Sequence, residues 1–209
     1  MLQAYADGED LHCKTAAAIA CVAPEDVTGE QRQMAKAVNF GLLYGQGPAG
    51  LARYAKNSYK VNMTEEEAKE AQEAFFSTYP GLKRWQKSAA DRAGRSKRVT
   101  TPRGRVRDFS KERKGYSYTQ ALNTPIQGGA AEVMLATLAC LDKHLSGLDA
   151  KLVNIVHDEL VLEVAEERVE VTKKAVEHAM VEGMLKIFPA ATTVDLVEAS
   201  DGSNWAEAK

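Results

Sequence analysis

No apolar run in this 209-residue chain is long enough to cross a bilayer, so no membrane span is expected. The amino end, Met1 to Asp10, lacks the basic-then-apolar order of a secretory signal. That directs the expectation to the cytoplasm or an organelle interior. Cysteine is scarce: Cys13, Cys21 and Cys140 are odd in number and share no metal-type spacing, which argues for reduced, buried thiols rather than a disulfide framework. Repeats and low-complexity stretches are absent. Charge of one sign is also lacking, since the formal net charge is only -2, and this excludes a protein that coats nucleic acid over its whole surface.

What is present is ordinary globular composition with two unusual local features. Hydrophobic residues make up 44% and charged residues 27%, enough for a sizeable core in one large domain or two small ones. Between Lys83 and Lys114 stand thirteen Lys and Arg residues against Asp91, Asp108 and Glu112 alone. Such a block attracts a phosphate backbone or forms a solvated basic face.

The first unusual feature is Arg32-Gln-Met-Ala-Lys36-Ala-Val-Asn-Phe40-Gly-Leu-Leu-Tyr44-Gly45. Arg32, Lys36, Phe40 and Tyr44 recur every four residues, so a helix lines them up as two cations followed by two aromatics. Like charges at i,i+4 repel unless an anion lies between them. Thr28-Gly-Glu-Gln31 reads as a capping box opening this helix, which puts the positive end of its dipole beside the cations. A triphosphate on Arg32 and Lys36, with a flat or sugar-like group against Phe40 and Tyr44, satisfies both halves of the stripe.

The second feature is His157-Asp158-Glu159 between the apolar runs Lys151–Val156 and Leu160–Val164. The spacing predicts a hairpin that presents two carboxylates at its turn. Hard oxygen ligands in such a place suit Mg²⁺, and the alternative is an ordinary acidic turn. A His-Asp phosphohydrolase is a further reading, but His12, His144 and His178 offer no partners at metal-type spacing.

Elsewhere the pattern predicts helices over about Asp10–Cys21, Leu51–Lys56, Thr64–Ser77, Gly81–Arg95, Tyr116–Leu145 and Glu166–Phe188. The Arg32 helix is expected to weaken at Gly41 and Gly45. A basic hairpin is expected over 98–107, turning at Pro102 to Gly104, and a last strand over Thr193–Glu198. The result is an α+β chain: a helical segment 1–115 with the basic hairpin, then 116–209 with a small antiparallel sheet and packed helices.

Taken together, three stretches resemble family A DNA polymerases, the bacterial DNA polymerase I type. Arg32-x3-Lys36-x3-Phe40-Gly-x2-Tyr44-Gly45 resembles the family's fingers-helix motif. His157-Asp158-Glu159 is similar to its palm carboxylate motif, and Asn123-Thr-Pro-Ile-Gln127-Gly to its primer-template segment. Their order and spacing agree, and the likeness runs from about Leu2 to Trp205. It implies a mostly helical fingers subdomain over 1–115 and a carboxyl part of a palm over 116–209.

By this resemblance, His12, Arg32 and Lys36 would hold the incoming dNTP triphosphate, and Lys36 would also act as acid toward the leaving pyrophosphate. Phe40 would pack on the sugar and disfavour dideoxynucleotides, and Tyr44 would stack near the templating base. Arg105, Asn123, Gln127 and His157 would contact primer-template DNA. Asp158 would be the ligand of catalytic Mg²⁺, with Glu159 auxiliary to it. Two departures stand out: Thr119 occupies a position where many members carry Arg, and the first palm motif, expected just before the segment resembling Leu2 to His12, is not in the sequence. The expectation is therefore a fingers and palm portion that does not polymerise DNA alone, either a truncated piece or half of a split enzyme completed by a second chain supplying thumb and first palm motif. The alternative is a nucleotide- or DNA-binding module without catalysis.

Overall fold

The computed structural model describes residues 1–208, with the backbone alone for Leu2 and Gln3. It divides into two compact units: Met1–Val99 with Val106–Pro125, and Thr100–Arg105 with Ile126 onward.

The first unit is helical. Helices α1 (Leu2–Ala6), α2 (Leu11–Ala20), α3 (Gly29–Leu43), α4 (Pro48–Tyr59), α5 (Glu65–Thr78) and α6 (Pro80–Ser96) follow one another, with a 3-10 turn at Pro24–Asp26. Their starts are chemically marked. Asp10 accepts from the His12 and Cys13 N–H groups to cap α2, Thr28 and Thr64 form capping boxes with Gln31 and Glu67, and Pro48 and Pro80 occupy first turns, where a missing N–H costs nothing. The core joins Val38 and Leu42 of α3, Leu51 of α4, and Ala68, Ala71 and Phe75 of α5 with Tyr79. Small alanines at Ala35 and Ala37 let α3 lie close to its neighbours. A smaller cluster of Ala93, Phe109 and Ala121 sits beneath the base of the basic hairpin, where the Arg107 guanidinium lies 5.1 Å from the Phe109 ring.

That hairpin pairs β1 (Arg98–Thr100) with β2 (Val106–Asp108). Helix α7 (Tyr118–His144) follows and contains Pro125.

In the second unit the later part of α7 packs with α8 (Val169–Ile187) through Cys140, Leu141, Val176 and Ala179, and Leu160 and Leu162 add the sheet to this core. The sheet is an antiparallel hairpin of β3 (Ala150–Val156) and β4 (Glu159–Val164), paired Val156 to Glu159 at its turn and Ala150 to Val164 at its base. Gly183 makes the helix crossing possible: a Cβ there would stand 2.7 Å from the Thr137 backbone nitrogen.

Several sequence expectations need correction. Residues 193–198 form no strand: Asp195 adopts φ 49°, left-handed geometry that interrupts extension, and Val194 is exposed instead of alternating into a core. Helix α3 passes through Gly41 without weakening, because Gly41 is there for close approach; an added Cβ would lie 2.6 Å from Leu51 Cδ1. Gly45, by contrast, takes φ +76° just past the helix end, as a glycine does best. Of the three free cysteines only Cys140 is buried; Cys21 is exposed.

Candidate functional site

Helix α3 carries the stripe as its spacing requires. Arg32, Lys36 and Tyr44 are half-buried, while Phe40 stays 37% exposed in an otherwise apolar stretch. An aromatic ring of that exposure beside two cations is a contact surface rather than core. Arg32 Nε donates to Asp10 Oδ2 at 2.7 Å, so one carboxylate both caps α2 and holds the guanidinium. Lys36 has no ion-pair partner among the described residues.

His12, on the first turn of α2, faces this stripe. Its ring lies 5.9 Å from the Phe40 ring, tilted by 42°. The Asn39 side-chain amide donates to His12 Nδ1 at 2.8 Å and also reaches the Leu11 carbonyl at 3.5 Å. With both acceptors facing the same amide nitrogen, Nδ1 is the accepting atom and the ring proton sits on Nε2. Burial pushes the imidazole pKa below its ordinary 6.5; the nearby Arg32 and Lys36 push it the same way, against Asp10. His12 is thus a neutral donor held among cations. Asp10 is shifted too: burial raises it, but the Arg32 hydrogen bond and the Cys13 and His12 N–H groups outweigh this and bring it to about 2.

Asn39 and Asp10 were not picked out from the sequence. Asn39 sits between two hydrophobic positions of α3 and is 6% exposed, with its Oδ1 buried and without a partner among the described residues. A polar residue on the core side of a helix was the available signal.

In the second unit His157 and Asp158 form the two-residue turn of the β3–β4 hairpin. His157 adopts φ 55°, a left-handed conformation uncommon outside glycine, and both side chains are exposed. The hairpin geometry fixes what the adjacent carboxylates do: Glu159 is already in β4 and accepts a hydrogen bond from the Trp205 indole N–H at 2.5 Å. Asp158 stays on the turn. Among the described residues no group of three or more His, Cys, Asp or Glu is placed to hold a metal. A Mg²⁺ shell of one or two carboxylates completed by water and substrate phosphates nevertheless suits Asp158 as one hard oxygen ligand.

The remaining candidates lie on α7 and the basic hairpin. Gln127 is exposed, and Asn123, one turn earlier, is half-buried with Oδ1 enclosed and without a partner among the described residues. Arg105, near the hairpin tip, keeps its side chain 63% exposed. Thr119 shares its hydroxyl with Ser117 at 3.3 Å.

Comparison with known proteins identifies the family. The model for DNA polymerase family A matches residues 1–207. The chain belongs to DNA polymerase family A. It is 38% identical to DNA polymerase I of Aquifex aeolicus over 185 residues, which is 86% of this chain and 31% of that protein. With DNA polymerase I of Geobacillus stearothermophilus it shares 34% over 217 residues, all of this chain and 24% of the relative. Among solved structures it is similar to the POL domain of Pol1 from M. smegmatis in complex with DNA primer-template and dNTP, with a TM-score of 0.75 and 31% identity over 87% of this chain and 32% of that one. The chain therefore spans about a quarter to a third of the length of these relatives. An α+β fold with small antiparallel hairpins agrees with the family. No helix among the described residues is long and apolar enough to cross a membrane.

Proposed function

We propose that this chain is the fingers and carboxyl palm portion of a template-directed DNA polymerase that adds dNTPs to a primer 3′ end, residues 1–115 serving as fingers and 116–209 as palm. The observation that carries this reading is the α3 face: the Asp10-held Arg32, Lys36 and the neutral His12 stand beside a partly exposed Phe40. Cations at one end and a ring at the other match a nucleoside triphosphate, the charge-dense tail on Arg32 and Lys36 and the sugar on Phe40. His12 donates from Nε2 without adding charge, and Lys36 would give a proton to departing pyrophosphate. Tyr44, just beyond α3, closes the aromatic end toward the templating base.

Asp158 would hold Mg²⁺ as one oxygen ligand of a shell completed by water and substrate phosphates. When bound, the ion neutralises phosphate charge during transfer. Glu159, engaged by Trp205, supports the turn from β4 and is an auxiliary group. Primer-template DNA lies along Arg105, Asn123, Gln127 and His157, in keeping with the complexed state of the M. smegmatis domain. A single carboxylate does not complete a Mg²⁺ shell, so primer extension is read in the presence of a polypeptide carrying a thumb and the first palm motif.

The test is a fluorescence titration of the chain with dNTP and with duplex. Lys36→Ala weakens dNTP binding by roughly tenfold, the loss of one charge-assisted contact, and leaves duplex binding nearly intact. Equal losses for both ligands sink the assignment. Retained binding with no extension in a correctly assembled mixture favours the second reading, a nucleotide- and DNA-binding module without catalysis.

A further inference from the structure

Glu132 brings a carboxylate into the interior of the second unit, where its side chain is 2% exposed. It lies on α7, one turn beyond Gly128. Oε1 accepts the Thr101 hydroxyl and Oε2 accepts the Arg103 N–H at 3.0 Å. Thr101 passes the connection on: its hydroxyl accepts the Arg105 N–H at 3.0 Å, and its own N–H donates to the Arg105 carbonyl at 3.0 Å. The whole tip of the basic hairpin is thereby tied to one buried side chain.

The helix surface is shaped to receive that tip. A Cβ on Gly128 would stand 2.4 Å from Thr101 Cγ2, and one on Gly129 would stand 3.3 Å from Pro102 Cγ. These two glycines follow Gln127 directly, so the hairpin is seated immediately beside a predicted DNA contact.

A turn can be closed by neutral acceptors, and burying a charge for that purpose alone is costly. What the charge adds is its action on Arg105. The Arg105 Nε lies 3.9 Å from Glu132 Oε1, near enough for attraction and too far for a hydrogen bond, while the guanidinium remains largely in solvent. Arg103, Arg105 and Lys186 rim an open cleft of about 440 Å³ at the same place. A guanidinium held from behind keeps its outer N–H groups for a phosphate and loses less side-chain entropy on binding one.

We propose that Glu132 is a positioning residue for nucleic-acid binding, clamping the Thr101–Arg105 tip onto α7 and setting the Arg105 guanidinium for a backbone phosphate of the bound duplex. The proposal rests on the polymerase reading above.

The test is anisotropy of a labelled primer-template duplex with the full chain over a salt series. Arg105→Ala lowers affinity about fivefold and reduces the salt slope by about one phosphate. Glu132→Gln, which removes the charge and one acceptor, produces a similar loss and slope change, the double variant is no weaker than Arg105→Ala alone, and Glu132→Asp recovers most of the affinity. Thr101→Ala cuts the same tether from the hairpin side, so a loss matching Arg105→Ala supports the clamp even where Glu132→Gln does not fold. Wild-type affinity and slope in Glu132→Gln or Thr101→Ala, or losses that multiply in the double variant, overturn the proposal. Failure of the unsubstituted chain to bind duplex at low salt overturns the polymerase reading itself.

Discussion

The two oxygens of Asp10 serve two elements, one accepting from the first N–H groups of α2 and the other holding Arg32 of α3. Its carboxyl titrates at about 2 in the folded chain against an ordinary 3.8, so the stability it contributes is complete above the ordinary value and is lost as pH falls through the folded one. Asp10→Asn keeps a competent cap and removes the charge. It should cost about 0.5 kcal/mol at neutral pH, since the pair is partly exposed, and should flatten the acid limb of stability between roughly pH 4 and pH 2 in urea melts. An unchanged acid limb would show that the ion pair is not linked to folding. His12 acts with the same sign: its lowered pKa means that the unfolded chain binds the extra proton first, so stability falls as pH drops below 6.5. His12→Asn should remove that part of the pH dependence.

At the scale of elements, glycines report where helices and turns have no room. Gly45 combines φ +76° with Tyr118 Cε1 and Leu122 Cδ1 at 2.7 and 2.6 Å from an added Cβ. Gly45→Ala should therefore destabilise by about 2 kcal/mol or more. Gly41→Ala gains helix propensity of about 1 kcal/mol and displaces only the end of the Leu51 side chain, so its net effect should be smaller. The order of the two melting temperatures checks this. Gly183→Ala meets the Thr137 hydroxyl and also the Thr137 backbone nitrogen and Cα, at 2.7 and 2.8 Å, which forces α7 and α8 apart, and a loss of about 3 kcal/mol is expected in denaturant unfolding. A shift within error would mean that the crossing relaxes freely.

At the scale of the whole molecule, β3 exposes three apolar side chains in close succession, Leu152, Val153 and Ile155, at 37%, 49% and 41%. A strand that exposes apolar side chains on both faces templates further association. Light scattering should show concentration-dependent self-association of the isolated chain, and Val153→Lys should reduce it. A monodisperse monomer at high concentration would count against this.

Much of the local structure was legible in the residues alone. Capping boxes at Thr28 and Thr64 and the β-rich runs around His157-Asp158 marked two helix starts and the β3–β4 hairpin, because each acts within a few residues of itself, whereas the helices expected from Leu51 and Gly81 begin earlier, at Pro48 and Pro80. The every-fourth-residue stripe of α3 was readable for the same reason. Tertiary structure decided the rest. Only packing joins Asp10 to Arg32 and Asn39 to His12, turns Glu159 toward Trp205 and leaves Asp158 on the turn, or seats Thr101 over Gly128 with Glu132 beneath it. Those partners lie 22 to 46 residues apart, and no local pattern encodes which distant side chain will meet a buried carboxylate or amide once water has been removed.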